Sequence, residues 1–471
     1  MNPQTSRTAP GQGTPESASP DSAAPDSAAP GSGPLHADVA VIGGGIIGHG
    51  IAWEARRSGR SVVVIDHAPG TGASWAAAGM LAPVSELHYQ EEDLLGLMLE
   101  SSRLWPAFAA SLASPPAAGS PDQQAAETGY RTTSTLAVGA DAADRRTLAD
   151  LRAVQQEHGL TVEPLTIREA RSREPLLSPG ISCAFDIPAD HQVDPRKLLA
   201  RIAGALAEHA QTSRVSGAAD GYAVRDRAVG LLWDDGRVSG VRLAGGGAVH
   251  ATETIVANGL EAGSLDGLPE GLNLPLRPVY GDILRLRVPE HLQPLLTSTV
   301  RGMVHGIPVY IVPRLDGTVV IGATQREDQP AGSARTGAGR AGASHATVSA
   351  GGVYQLLRDA QVLVPAVAEL ELLESTARAR PGTPDNAPLL GRVPDARGTD
   401  IPGLIIATGF FRHGVLLTPV AAAICRQLMD GTGDPRWANF HPGRFRAGTG
   451  SKHPAAVSAG SATLDPNKET A

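Results

Sequence analysis

Gly43, Gly45 and Gly48 stand at Gly-X-Gly-X-X-Gly spacing, and Asp66 follows them. At a strand-to-helix turn the first glycine permits the bend, the second lets main chain approach a pyrophosphate, and the third allows close helix packing. An acidic side chain about 20 residues further on can accept hydrogen bonds from both hydroxyls of an adenosine ribose. These residues therefore read as a site for the adenosine diphosphate half of a dinucleotide. They do not separate FAD from NAD, because both cofactors present that half to the same turn. The stretch TGASWAAAGMLAP (71–83) comes next, and its small residues would let main chain press against a ring system and a pyrophosphate.

The flanking segments supply the elements such a site needs. DVAVIG (38–43) and SVVVID (61–66) are continuous apolar runs rich in β-branched residues, which predicts parallel strands buried on both faces. Between them Ile46, Ile47, Ile51, Ala52 and Ala55 recur at helical spacing and Ser58-Gly59 supplies a stop, so 37–66 reads as one βαβ unit. AVGLLWDDGRVSGVRLAGG (228–246) predicts a hairpin turned at Asp235-Gly236, followed by a strand in TETIVAN. IVPRLDGTVVIGAT (311–324) predicts a second hairpin at Asp316-Gly317, and GLIIATG (403–409) a buried strand leading into an apolar helix from Val415 to Met429.

Composition narrows the class. A chain of 471 residues exceeds one ordinary core, so two or more domains are expected. Forty Lys and Arg against 48 Asp and Glu give a net charge of −8 with no basic block, which disfavours nucleic acid as a partner. Cys183 and Cys425 stand far apart with no ligand spacing, and the histidines (88, 158, 191, 209, 291 and 413 among them) show none either, so neither disulfide nor metal is expected. No apolar run reaches 18 residues and the N-terminus lacks a basic, apolar leader; a cytoplasmic protein with no membrane partner is the expectation. Residues 1–34 and the segment after Ala447 read as disordered tails, and 113–127 and 328–346 as surface loop insertions, from their Ser, Ala, Pro and Gly content.

With these motifs in view, the chain resembles the D-amino acid oxidase family of FAD enzymes, and within it the glycine oxidases of thiamine biosynthesis. The resemblance runs from about Asp38 to about Phe440. It rests on the glycine fingerprint and on ASWAAAGML, HQVDPRKLL, VYIVPRLDGTVVIGAT, ARARPGTPDNAPLLGR and ATGFFRHGVLLTP, in family order. It implies FAD contacts from Ile46 and Ile47 on the turn, Asp66 and His67 at the ribose, and Ala73 and Ser74 beside the phosphates. Ala78, Gly79 and Met80 would border the flavin ring, Val229 would meet the adenine through its backbone, and Phe410, Phe411, Arg412, His413, Gly414, Val415 and Leu416 would wrap the pyrimidine edge. A helix opening near Val415 would point its positive end there, where negative charge builds on the accepting flavin.

The family's substrate clamp maps onto Arg380, with Arg412 as a second carboxylate contact and Tyr310 as the phenol beside it. A guanidinium suits that role because its planar fork can hold both oxygens of a carboxylate. The sequence departs from the family at several places: Asp66 replaces a glutamate, His305 a second pocket tyrosine, and Gln325 a methionine, while Asn258 in IVANG has no evident role. Neither cysteine falls in a stretch used for covalent flavin attachment, so FAD is expected to be held noncovalently.

The implied fold is α/β: a Rossmann-like FAD-binding domain with a second substrate domain on a mixed, largely antiparallel sheet. The expected segments are 35–112, 191–265 and 376–446 for the first, and 113–190 and 266–375 for the second. The implied activity is oxidation of a small amino acid, glycine first, with molecular oxygen as acceptor and thiazole-synthesis enzymes as takers of the imine. A homo-oligomer is expected. Sarcosine oxidase, a D-amino acid dehydrogenase passing electrons to a quinone, and a noncatalytic FAD-binding subunit remain open alternatives.

Overall fold

Val39, Val41, Val62 and Val64 pack into one hydrophobic core, while their alternating neighbours Ala40, Ile42, Val63 and Ile65 pack into another. Successive residues of a strand point to opposite faces, so a strand with a core on each side must be apolar throughout. The computed structural model describes residues 34–87, 91–113, 121–210, 215–327, 345–395 and 397–446, all in one folded unit that begins at Pro34. The sequence-predicted tails, apart from Pro34, and most of the 328–346 insertion lie outside these residues.

Among the described residues, the first sheet has Leu35–Ile42 at its centre. That strand pairs in parallel with Ala248–Val256 and with Val62–Ile65. Asp400–Thr408 extends the parallel set beyond Ala248–Val256, and Leu389–Pro394 closes that edge antiparallel. The hairpin Ala228–Asp234 and Arg237–Leu243 folds onto Ala248–Val256. Its turn holds Asp235 and Gly236 at φ of 43° and 76°, the left-handed pair that a two-residue hairpin of matching twist requires. Helix Ile46–Arg57 packs on one face of this sheet, against helices Pro195–His209 and Thr418–Met429.

The second sheet is mixed and mostly antiparallel. Its centre runs Glu371–Gly382, Arg277–Arg287, Thr318–Gly322, Ile307–Pro313, Thr299–Val304 and Thr135–Gly139, with a parallel pairing between the last two. Helix Ala350–Leu363 and the strands' apolar side chains form its own core.

Three local expectations shift. Within 113–127, where composition predicted a loop, Pro121–Thr128 is helical: proline opens it, Asp122 lies in its first turn, and helix-forming residues follow. Strand Glu371–Gly382 runs through residue 376, where a segment boundary was expected, because it pairs with Arg277–Arg287 on both sides of that residue, with one bulge at Leu373. The apolar helix starts at Thr418 rather than Val415. Phe411, at φ 47°, is held in the left-handed region and Phe411–His413 forms a short tight turn, so the chain enters the helix three residues later. Ser101 and Trp105 from helix Glu92–Leu112 both donate to the Leu416 carbonyl, at 2.6 and 2.8 Å, and pin that entry.

Candidate functional site

The carboxyl ends of the parallel strands and one face of the second sheet enclose a cavity of about 600 Å³. In open parallel sheets this is where ligands bind. At one end the cavity is made chiefly of main chain. Gly43 turns out of its strand at φ 111°, with Ala257 so near that a Cβ there would lie 2.6 Å from its carbonyl carbon. Gly48 does not line the cavity; it faces Gly43, whose carbonyl oxygen a Cβ would strike, so its smallness sets the distance between helix and turn.

Helix Ile46–Arg57 opens toward this space with Gly45 as a cap that has no side-chain acceptor, and no acidic residue sits in its first turn. Ser74 Oγ accepts the Ile46 N–H at 3.0 Å. A helix end left positive in this way favours a phosphate group. Asp66 accepts the Gly44 and Ala68 N–H groups at 2.6 and 2.7 Å, and a carboxylate with about four acceptor positions keeps capacity for further donors. Asn258 lines the same end, and its buried Oδ1 has no hydrogen-bond partner. A ligand carrying donors and phosphates would satisfy that oxygen and the helix end, so the residues present fit FAD.

The other end is made of side chains from the second sheet. Arg301 and Tyr310 are directly opposed across the pair Thr299–Val304 and Ile307–Pro313, and Tyr310 is opposed in turn to Gly322. Arg380 reaches in from Glu371–Gly382 across Gly281: a Cβ on Gly281 would lie 2.7 Å from the guanidinium carbon. A Cβ on Gly322 would lie 2.6 Å from the Tyr310 ring carbon that bears the hydroxyl. Two absent side chains thus make the bed for the guanidinium and the phenol. Burial pushes the Tyr310 hydroxyl up to about 12 while the neighbouring Arg380 opposes the rise, so the phenol is neutral and able to donate at ordinary pH.

Arg301 donates to Glu86 Oε1, and Arg412 donates through Nε to Glu86 Oε2 at 2.9 Å and through Nη2 to Glu91. Burial disfavours ionised Glu86, yet Arg301 and Arg412 outweigh it and hold the carboxyl well below the usual carboxylate range. The buried Asp190 carboxylate takes the Val84 and Ser85 N–H groups, each at 2.9 Å, and so fixes the turn that presents Glu86.

Most residues singled out from the sequence meet here. Gly43, Gly45, Ile46, Ile47, Asp66, His67, Ala73, Ser74, Ala78, Gly79, Met80, Tyr310, Arg380 and the run Phe410 to Leu416 all line the cavity. Val229 does not; Asp226, Arg227 and Ala228 line it instead, and the Val229 carbonyl accepts the Asp266 N–H. His305 is exposed in the turn between two strands, 2.9 Å from Asp141, and Gln325 borders the opening. Arg412 is committed to two carboxylates. Sequence reading missed Glu86, Arg301 and Gly281, and it gave no role to Asn258, whose buried Oδ1 lacks a partner. The available signal was a lone arginine in TVRGMV, on the face opposite buried Val300 and Val304.

Comparison with known proteins identifies the family. The family model "DAO: FAD dependent oxidoreductase" matches residues 38–428. The chain is 33% identical over 400 residues to the glycine oxidase of Geobacillus kaustophilus, covering 83% of this chain and 93% of that protein. It is 30% identical over 410 residues to the bifunctional protein ThiO/ThiG of Trichormus variabilis, covering 87% of this chain and 55% of that protein, so it spans about half the length of this relative. The crystal structure of glycine oxidase from Geobacillus kaustophilus superposes with a TM-score of 0.70 at 29% identity, over 88% of this chain and 100% of that one. The chain belongs to the DAO family of FAD-dependent oxidoreductases.

Proposed function

We propose that the protein holds FAD noncovalently in this cavity and oxidises a small amino acid, glycine first. The observation that carries the proposal is Arg380: it lines the inner wall beside Tyr310, and among the described residues no carboxylate forms an ion pair with it. Its planar fork is therefore available to both oxygens of a substrate carboxylate. The neutral Tyr310 hydroxyl adds a donor to the same group. Together they fix the acid end of the substrate, and so the position of its α carbon along the cavity, which supplies rate by orientation.

The glycine turn and the run Phe410 to Leu416 would hold FAD, which would supply the acceptor for loss of a hydride from that α carbon, with oxygen as the final oxidant giving hydrogen peroxide and the imine product going to glyoxylate and ammonia in water. The lone pair of the deprotonated amine assists that loss, so no side chain of the protein need act as a base. The relationship to proteins named ThiO/ThiG supports delivery of the imine to thiazole-synthesis enzymes instead of water.

The test is a panel of glycine, sarcosine, D-alanine and D-proline on FAD-loaded protein, read by peroxide under air and by flavin bleaching without it. Bleaching by at least one of the four is expected, glycine foremost; a flavin unchanged by all four refutes the reading. Arg380→Met should keep FAD and raise KM for glycine by about a hundredfold, the scale of a lost charge-assisted pair.

A further inference from the structure

The inner wall carries arginines in two different electrostatic conditions. Arg301 and Arg412 are each ion-paired, and Glu86 is the partner common to both, one carboxylate oxygen to each. Arg412 is further tied to Glu91, whose second oxygen accepts from Asn386 at 2.9 Å. Arg380, beside them, has no such partner among the described residues. Arg378, also on the cavity wall, directs its donors to the Thr71 and Ala377 carbonyls.

We propose that Glu86 is a specificity-determining residue: by engaging Arg301 and Arg412 together, it leaves Arg380 to take one carboxylate and turns the site against amines that carry a second. This rests on the amino acid oxidation proposed above. A second carboxylate, held next to the first, would lie near an ionised Glu86 and find the adjoining guanidinium groups already engaged. Like charges brought together where water is scarce repel strongly. Removing the Glu86 charge would reverse the situation, because Arg301 and Arg412 would then lack the neutralisation they now share.

Acetate and malonate test this directly, since they differ by one carboxylate and contain no amine. Each is titrated into FAD-loaded protein and followed by the perturbation of the flavin spectrum; turnover is compared on glycine and on iminodiacetate, which is glycine bearing a second carboxymethyl group. The native chain should prefer acetate and glycine. Glu86→Gln should move the malonate-to-acetate affinity ratio toward malonate by about tenfold or more. The double variant Glu86→Gln with Arg301→Met should lose most of that gain. A uniform loss of both ligands, or an unmoved ratio, overturns the proposal, because a merely structural role would not discriminate between them.

If Glu86→Gln does not fold, Arg301→Met alone decides: with Glu86 less neutralised, malonate must weaken relative to acetate, and an unchanged ratio overturns the proposal. Should the native chain oxidise glycine while the ratio stays fixed, this inference alone fails. Should no amino acid bleach the native flavin, the underlying reading fails and this one with it.

Discussion

The two ends of the cavity are built from different material. At the glycine turn, recognition comes chiefly from main chain: a bend at Gly43, a helix start at Gly45 with no side chain of its own to cap it, and a helix brought close by Gly48. At the other end it comes from charged side chains that the two sheets and a turn bring together, with Glu86, Arg301, Arg380 and Arg412 distant in sequence. A main-chain site depends on shape and fails when shape is lost. A side-chain site depends on pairing, and its preferences can change while the fold survives.

The largest expected effect tests the first half of that contrast. Gly48→Val would put a branched side chain against the Gly43 carbonyl and push the helix off the turn. Overpacking with nowhere to relax costs on the order of 3 kcal/mol or more. The variant should emerge colourless with a clearly lower Tm, since the same displacement ruins both helix packing and the phosphate site. A yellow protein of native stability would show that the turn is not the rigid element described here.

The second prediction uses a feature of the side-chain end, its buried titratable groups. Burial pushes the Asp190 carboxyl up to about 6 from its ordinary 3.8, with the Val84 and Ser85 N–H groups opposing the rise. The unfolded chain releases this proton near pH 4 and the folded protein near pH 6. Over that window the folded state binds more protons, so the Asp190 contribution to stability falls as pH rises and is constant above pH 6. The change is about 3 kcal/mol by linkage. Asp190→Asn removes the titration, so the stability difference between native chain and variant should shrink by about that amount from pH 4 to pH 6, measured by urea unfolding. A difference independent of pH would mean that Asp190 does not change its protonation in this range.

The same contrast explains what was legible in the sequence. Gly43, Gly45, Gly48 and Asp66 lie within one local βαβ unit, where spacing alone carries the geometry, and the hairpin at Asp235-Gly236 is likewise a local matter of backbone twist. Arg380 and Tyr310 were reached through resemblance, not spacing. Glu86 could not be found either way, because its role is defined by Arg301 and Arg412, which no local pattern connects to it. Arg412 too was reached through resemblance, as a second carboxylate contact, and the fold adds what no local pattern shows, that it pairs with Glu86 and Glu91. The start of the apolar helix was misplaced because hydrophobicity continues through Val415 and Leu416, whereas the backbone is still turning there.

The smallest expected effect is the most discriminating, because it perturbs the side-chain end through a residue with no functional group. The Arg380 guanidinium occupies the space where Gly281 lacks a Cβ. In Gly281→Ala the methyl group meets the far end of a flexible side chain, not backbone, so the arginine can move aside at little cost to folding. The displaced fork no longer aligns with a carboxylate held near Tyr310, and misplacement of a positioning group by about 1 Å can cost up to a hundredfold. KM for glycine should therefore rise about tenfold, with FAD content and Tm close to native. Acetate, read through the flavin spectrum, should weaken in parallel, since it shares only the carboxylate. If KM rises while acetate affinity is unchanged, Gly281 acts on something other than the Arg380 clamp; if glycine and acetate both weaken together with FAD loss, the two ends of the cavity are not separable in the way their construction implies.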